Sequence, residues 1–129
     1  MKLTLLVTAA PHQENAWHAL AFCKAALARG HDVQRVFFYG DGATHGNSLL
    51  LPPQDEPDVA QGWRELNESH ALELVVCVAA ALKRGVMDAD MARREDKALA
   101  NLASGFVISG LGQLAEAMME ADRLVSFPG

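Results

Sequence analysis

Of the two thiols in this 129-residue chain, one stands where chemistry is expected. Cys77 closes the apolar run Leu72-Glu73-Leu74-Val75-Val76 and is followed by Val78-Ala79-Ala80-Ala81-Leu82, which reads as the start of a helix. A strand end facing the first free amides of a helix favours a thiolate over a thiol, because those N–H groups and the positive end of the helix dipole stabilise the anion. Lys83 and Arg84 follow closely and add positive charge. The competing reading makes Cys77 a small apolar core residue, the usual setting of a free cysteine. Cys23 has only that second reading. It shares the inward stripe of a helix with Ala16, Leu20 and Leu27, and nothing beside it activates the sulfur.

Other chemistry-bearing residues are weaker. His12, His18, His31, His45 and His70 show no paired helical spacing of the kind that binds a metal, so no metal site is expected. His12 and His45 fall on loops that should share an edge with Cys77, where either could steer a proton, although a solvated loop histidine is the simpler reading. Gly110-Leu111-Gly112-Gln113-Leu114-Ala115 matches the glycine fingerprint of dinucleotide binding. It comes too late in the chain, with no acidic residue about 20 positions on to hold a ribose. Tight turning and close helix packing account better for these glycines. Ser109 lacks the glycine-flanked elbow of a serine nucleophile.

The elements that must position Cys77 alternate between apolar runs and helical patterns. Strands are expected at Lys2 to Val7, His31 to Phe38, Leu72 to Cys77, Phe106 to Ser109 and Arg123 to Phe127. Between them lie a helix from about Asn15 to Arg29 stopped by Gly30, a loop from Tyr39 to Gln54, and a helix opened by Pro57 with Val59, Trp63, Leu66 and His70 at helical spacing. A short helix follows Cys77 as far as Gly85. Another runs from an Asp88 cap to about Leu102, and the last covers Leu111 to Ala121. Continuous apolar strands separated by helices predict a single three-layer α/β/α domain, spanning residues 1–129, with a mainly parallel five-stranded sheet. In such a sheet every strand ends on one side, and sites form outside those ends. The strand order is left open by the sequence.

Composition bounds the setting. Half the residues are apolar, enough for one core, and the formal net charge is −5. That charge disfavours an electrostatic grip, so direct binding of nucleic acid is not expected. Lys83, Arg84, Arg93, Arg94 and Lys97 nevertheless gather five of eleven basic residues, either as a solvated face offset by Asp88, Asp90, Glu95 and Asp96 or as a docking patch for an acidic partner. Two distant cysteines without a secreted-scaffold spacing point to a reducing compartment. The start through Ala10 imitates a signal peptide only faintly, and no stretch approaches the roughly 20 apolar residues of a membrane span. A soluble, cytoplasmic protein is expected.

The stretch Cys77-Val78-Ala79-Ala80-Ala81-Leu82-Lys83-Arg84-Gly85-Val86 resembles the active-cysteine segment of the sulfurtransferase subunit of the DsrE-like (TusBCD/DsrEFH) family. Val36-Phe37-Phe38-Tyr39, Trp63-Leu66-Asn67 with His70, Ser109-Gly110-Leu111-Gly112 and Leu114-Ala115-Glu116-Ala117 extend the likeness along nearly the whole chain. The resemblance implies that Cys77 receives sulfur as a persulfide in the relay that makes 2-thiouridine at the tRNA wobble position, without a cofactor. It also implies a heterohexamer with TusB-like and TusC-like paralogues, a TusA-like sulfur donor and a TusE-like acceptor. The loops at Pro11 to Asn15 and Gly40 to Gly46 depart from the family pattern, so only Cys77 is carried over. Two alternatives stand beside this one: a non-catalytic assembly subunit of the same fold, and a small-ligand-binding flavodoxin-like domain.

Overall fold

The computed structural model describes residues 1–129. Five strands, β1 (Lys2–Val7), β2 (Asp32–Phe38), β3 (Glu73–Cys77), β4 (Phe106–Ser109) and β5 (Arg123–Phe127), form one sheet in the order β4-β3-β2-β1-β5. Every pairing is parallel. The expected three-layer α/β/α fold with a parallel five-stranded sheet is the fold found.

The strands bury both faces, which is why they read as continuous apolar runs. On one face Leu3, Leu5, Val7, Val36, Phe38, Leu74 and Val76 join the main core, with α1 (Glu14–Ala28) and α2 (Val59–His70) packed over them through Ala16, Leu20, Cys23 and Trp63. On the other face Phe37 and Val75 meet only α5 (Leu111–Glu120), through Ala117 and Leu114. Thr4 Oγ1 donates to Ala117 O at 3.3 Å and ties α5 to β1. Because β5 returns to the far side of β1, its connecting helix crosses the face that α1 and α2 leave open.

Helix ends show how local sequence sets the boundaries. After α1, Gly30 at φ 83° lets His31 N–H reach Ala26 O at 3.0 Å and its own N–H reach Leu27 O at 3.0 Å, the Schellman closure. After α3 (Val78–Lys83), Gly85 at φ 72° does the same, with Val86 N–H on Ala81 O at 2.9 Å.

Several sequence expectations need correction. The stretch from Asp88 is capped as expected, Asp88 accepting from Met91 N–H at 2.8 Å, but α4 spans only Ala89–Arg94. It ends in the same closure, with Asp96 at φ 54° in the glycine position and Lys97 N–H on Ala92 O at 2.8 Å. The chain from there to Leu102 is not helical, and Asn47 pairs with Leu102 in an antiparallel bridge. Within Tyr39 to Gln54, Gly40–Gly46 form a 3-10 helix instead of loop. The next helix is capped by Asp58, which accepts from Gln61 N–H at 3.0 Å, so Pro57 precedes the cap. Gly110 and Gly112 have open space where a Cβ would stand and no left-handed backbone, so close helix packing does not explain them. Nothing else in the structure requires glycine at either position.

Candidate active site at the end of the third strand

Cys77 is the last residue of β3 and the residue from which α3 starts, with no loop between. Its extended backbone, φ −63° and ψ 127°, carries the strand straight into the helix. It pairs in register with Ser109, the last residue of β4. The residue is 4% exposed and belongs to the main core cluster, so the sulfur sits at the carboxyl edge of the sheet under cover. The residue is buried, and it stands at the strand-to-helix junction.

The 3-10 segment Gly40–Gly46 packs against both elements that Cys77 joins. Two glycines let it approach. A Cβ at Gly42 would lie 2.0 Å from Val7 O, at the end of β1, and a Cβ at Gly46 would lie 3.1 Å from Val76 Cγ2, beside Cys77. Any larger residue at Gly42 would have to move backbone.

His45 points from this segment into the protein and is fully buried, so it is not the solvated loop histidine that the sequence suggested. Its Nε2 lies 3.1 Å from Ala9 O. A carbonyl only accepts, so Nε2 carries a proton. Burial pushes its pKa down to about 4, with the Ala9 hydrogen bond opposing the shift. The ring packs on Phe38 at 5.0 Å between centroids, and Trp63 meets the same Phe38 edge-on at 5.6 Å. His45 therefore anchors the segment to the loop after β1. His12, in contrast, is exposed on that loop and lies on the wall of a neighbouring cleft.

Two of the five basic residues gathered after Cys77 are paired with carboxylates. Arg84 donates to Asp41 of the 3-10 segment from Nη2 at 2.9 Å and from Nε at 3.1 Å, and Arg93 pairs with Asp90 one turn away. The Ala-rich helix after Cys77 places Ala80 and Ala81 in the core and leaves Ala79 and Leu82 exposed.

Sequence reasoning missed Asn101, which it had placed inside a helix. Its side chain accepts from Met87 N–H at 3.0 Å and donates to Gly85 O at 2.9 Å and Asn47 Oδ1 at 3.1 Å, while its carbonyl accepts from Ser48 N–H at 2.7 Å. One asparagine thus staples the turn after α3 to the chain leaving the 3-10 segment. The only signal in the sequence was an Asn amid helix-forming alanines.

Cys23 is fully buried on α1, and burial pushes its thiol up to about 12. It is protonated and inert at neutral pH. Both cysteines are free.

Comparison with known proteins bears on this geometry. The sulfurtransferase TusD homolog of Pseudomonas aeruginosa is 47% identical, with 100% of this chain and 98% of that protein aligned. The sulfurtransferase TusD of an Enterobacter species is 45% identical, over 98% of this chain and all of that protein. Among solved structures, the Escherichia coli ychN protein superposes with a TM-score of 0.78 over 98% of this chain and 99% of that one, at 20% identity, a likeness of fold. Sulfur transfer is the activity class of the full-length relatives and of this chain. The profile of the DsrE/DsrF-like family matches residues 1–127, and the chain belongs to that family.

Proposed function

We propose that Cys77 accepts sulfur as a persulfide and hands it on to an acceptor thiol, in the relay that makes 2-thiouridine at the tRNA wobble position. The observation that carries this reading is the lone thiol at a strand-to-helix junction on the carboxyl edge of the sheet, in a chain whose other cysteine is sealed in the core. In the first step the Cys77 thiolate attacks the outer sulfur of a donor persulfide. The donor's S–S bond breaks, the donor leaves as a thiolate, and Cys77-S-SH remains. In the second step an acceptor thiolate attacks that outer sulfur and Cys77 leaves as thiolate. Neither step needs an oxidant, a reductant or a cofactor. Burial of the sulfur limits its contact with water and oxidants, which matters because thiolates and persulfides are readily oxidised.

In this reading a TusA-like protein is the donor and a TusE-like protein the acceptor, and the chain works in the cytoplasm in a heterohexamer with TusB-like and TusC-like paralogues. The tRNA is reached through the acceptor, in keeping with the net charge of −5. No helix is long and apolar enough to cross a membrane.

The test is mass spectrometry of the protein as isolated from cells, together with thiolation assays of variants. One extra sulfur on the Cys77 peptide is expected. Cys77→Ser should lose tRNA thiolation, while Cys23→Ala keeps most of it. Sulfur on Cys23, or full activity without Cys77, overturns the proposal.

A further inference from the structure

A cleft of about 860 Å³ opens near the end of the third strand without including Cys77 in its lining. It lies on the same edge of the sheet, between the loop after β1, the 3-10 segment and the stretch leading into α2, and Arg84 at the end of α3 forms part of its wall. Its volume is that of a ligand site. Its chemistry is one-sided. Pro11, Pro52, Pro53 and Pro57 line it, four of the five prolines in the chain, and none of them can donate a backbone hydrogen bond. Arg84 is already engaged with Asp41 and with Ala80 O. Against these stand the carboxylates of Glu14, Glu56 and Asp58. With Asp41, four carboxylates on the wall stand against the single guanidinium of Arg84, so the wall is negative.

Two apolar features complete it. Trp17, 44% exposed, offers an indole face on which a guanidinium or an aliphatic stem can lie. Leu51 is 90% exposed on the wall, and Leu49, two residues earlier and outside the lining, is 75% exposed. Apolar surface that runs on past the cavity suits a chain better than a compact small molecule.

We infer that this cleft docks an extended peptide segment of a partner protein in which a basic side chain sits beside an apolar one. The basic group takes the carboxylates and the face of Trp17, and the apolar side chain takes the proline and leucine wall. The inference rests on the sulfur-exchange reading for its purpose, since a partner held against Arg84 is held next to the helix that Cys77 starts. It does not rest on that reading for its chemistry.

The experiment titrates the full chain, labelled with nitrogen-15, with two capped probes, acetyl-Leu-Arg-Leu-amide and acetyl-Leu-Glu-Leu-amide. The arginine probe should shift the Trp17 indole N–H and the amides of Leu50, Leu51, Glu56 and Asp58 to Ala60, and the glutamate probe should not. The double variant Glu14→Gln, Glu56→Gln should bind the arginine probe roughly tenfold more weakly, and added salt should weaken binding to the parent chain. Equal binding of both probes, an unmoved Trp17, or undiminished binding by the double variant would overturn the inference. Cys77→Ser should bind the probe like the parent chain. If Cys77 carries no sulfur in cells while Trp17 still responds to the arginine probe, the docking site stands and the sulfur reading alone fails.

Discussion

Arg84 grips one carboxylate oxygen of Asp41 with two nitrogens, at 2.9 and 3.1 Å, while its third donates to Ala80 O at 3.0 Å. The pair fastens the 3-10 segment to the end of the helix that begins at Cys77. Sequence proximity suggested that Arg84 attracts the thiolate. In the structure its guanidinium is committed to the segment that packs over the strand end.

Arg84→Ala should therefore change local opening far more than global stability. The pair is partly exposed, its side chains 28% and 69% accessible, so its loss should cost no more than about 1 kcal/mol in urea unfolding. Hydrogen exchange at the amides of Gly40 to Gly46 should quicken, and alkylation of Cys77 with it. Arg84→Lys should restore only part of the protection, because an ammonium lacks the planar fork. Unchanged exchange in the alanine variant would show that Gly42 and His45 hold the segment without the ion pair.

His45 gives the fold a dependence on acid. Its pKa is lowered by burial from 6.5 to about 4, so between those values the unfolded chain binds a proton that the folded chain refuses. Stability from this group is complete above about pH 6.5 and is lost as pH falls towards 4, by about 3 kcal/mol in all. His45→Gln keeps an N–H for Ala9 O but cannot titrate. Urea midpoints taken from about pH 7 down to about pH 4.5 should fall more steeply for the parent chain than for this variant. Parallel curves would mean that the folded protein tolerates a charged imidazole there.

Strand positions were legible wherever an apolar run was continuous, and β1, β4 and β5 have the bounds read from the sequence. The junction at Cys77 was legible for the same reason, since Leu74-Val75-Val76 must be strand and Val78-Ala79-Ala80-Ala81 favours helix. The surroundings of the thiol were not. His45 buried against Phe38, Gly42 pressed on Val7 O and Asn101 bridging two turns are all contacts between distant segments. No local pattern encodes them. Helix ends were read correctly at Gly30 and Gly85, where the left-handed residue is a glycine, and missed after Arg94, where an aspartate takes that conformation and the alanines beyond it read as more helix.

That last miss yields a prediction about stability. Asp96 stands at φ 54° between two hydrogen bonds that close α4, Asp96 N–H to Arg93 O at 3.4 Å and Lys97 N–H to Ala92 O at 2.8 Å. A non-glycine residue in this region is strained by roughly 1–2 kcal/mol, less for Asp than for most, and glycine relieves the strain while adding up to about 1 kcal/mol of unfolded-state entropy. Relief should win narrowly. Asp96→Gly should raise stability by up to about 1 kcal/mol, seen as a higher urea midpoint with an unchanged slope. Asp96→Ala should lower it, because alanine tolerates the left-handed region less well than aspartate. Gly85→Ala, at φ 72°, should cost more than Asp96→Ala, since it introduces the strain where none existed. If Asp96→Gly destabilises the chain instead, the aspartate carboxylate contributes an interaction of its own beyond the conformation of its backbone.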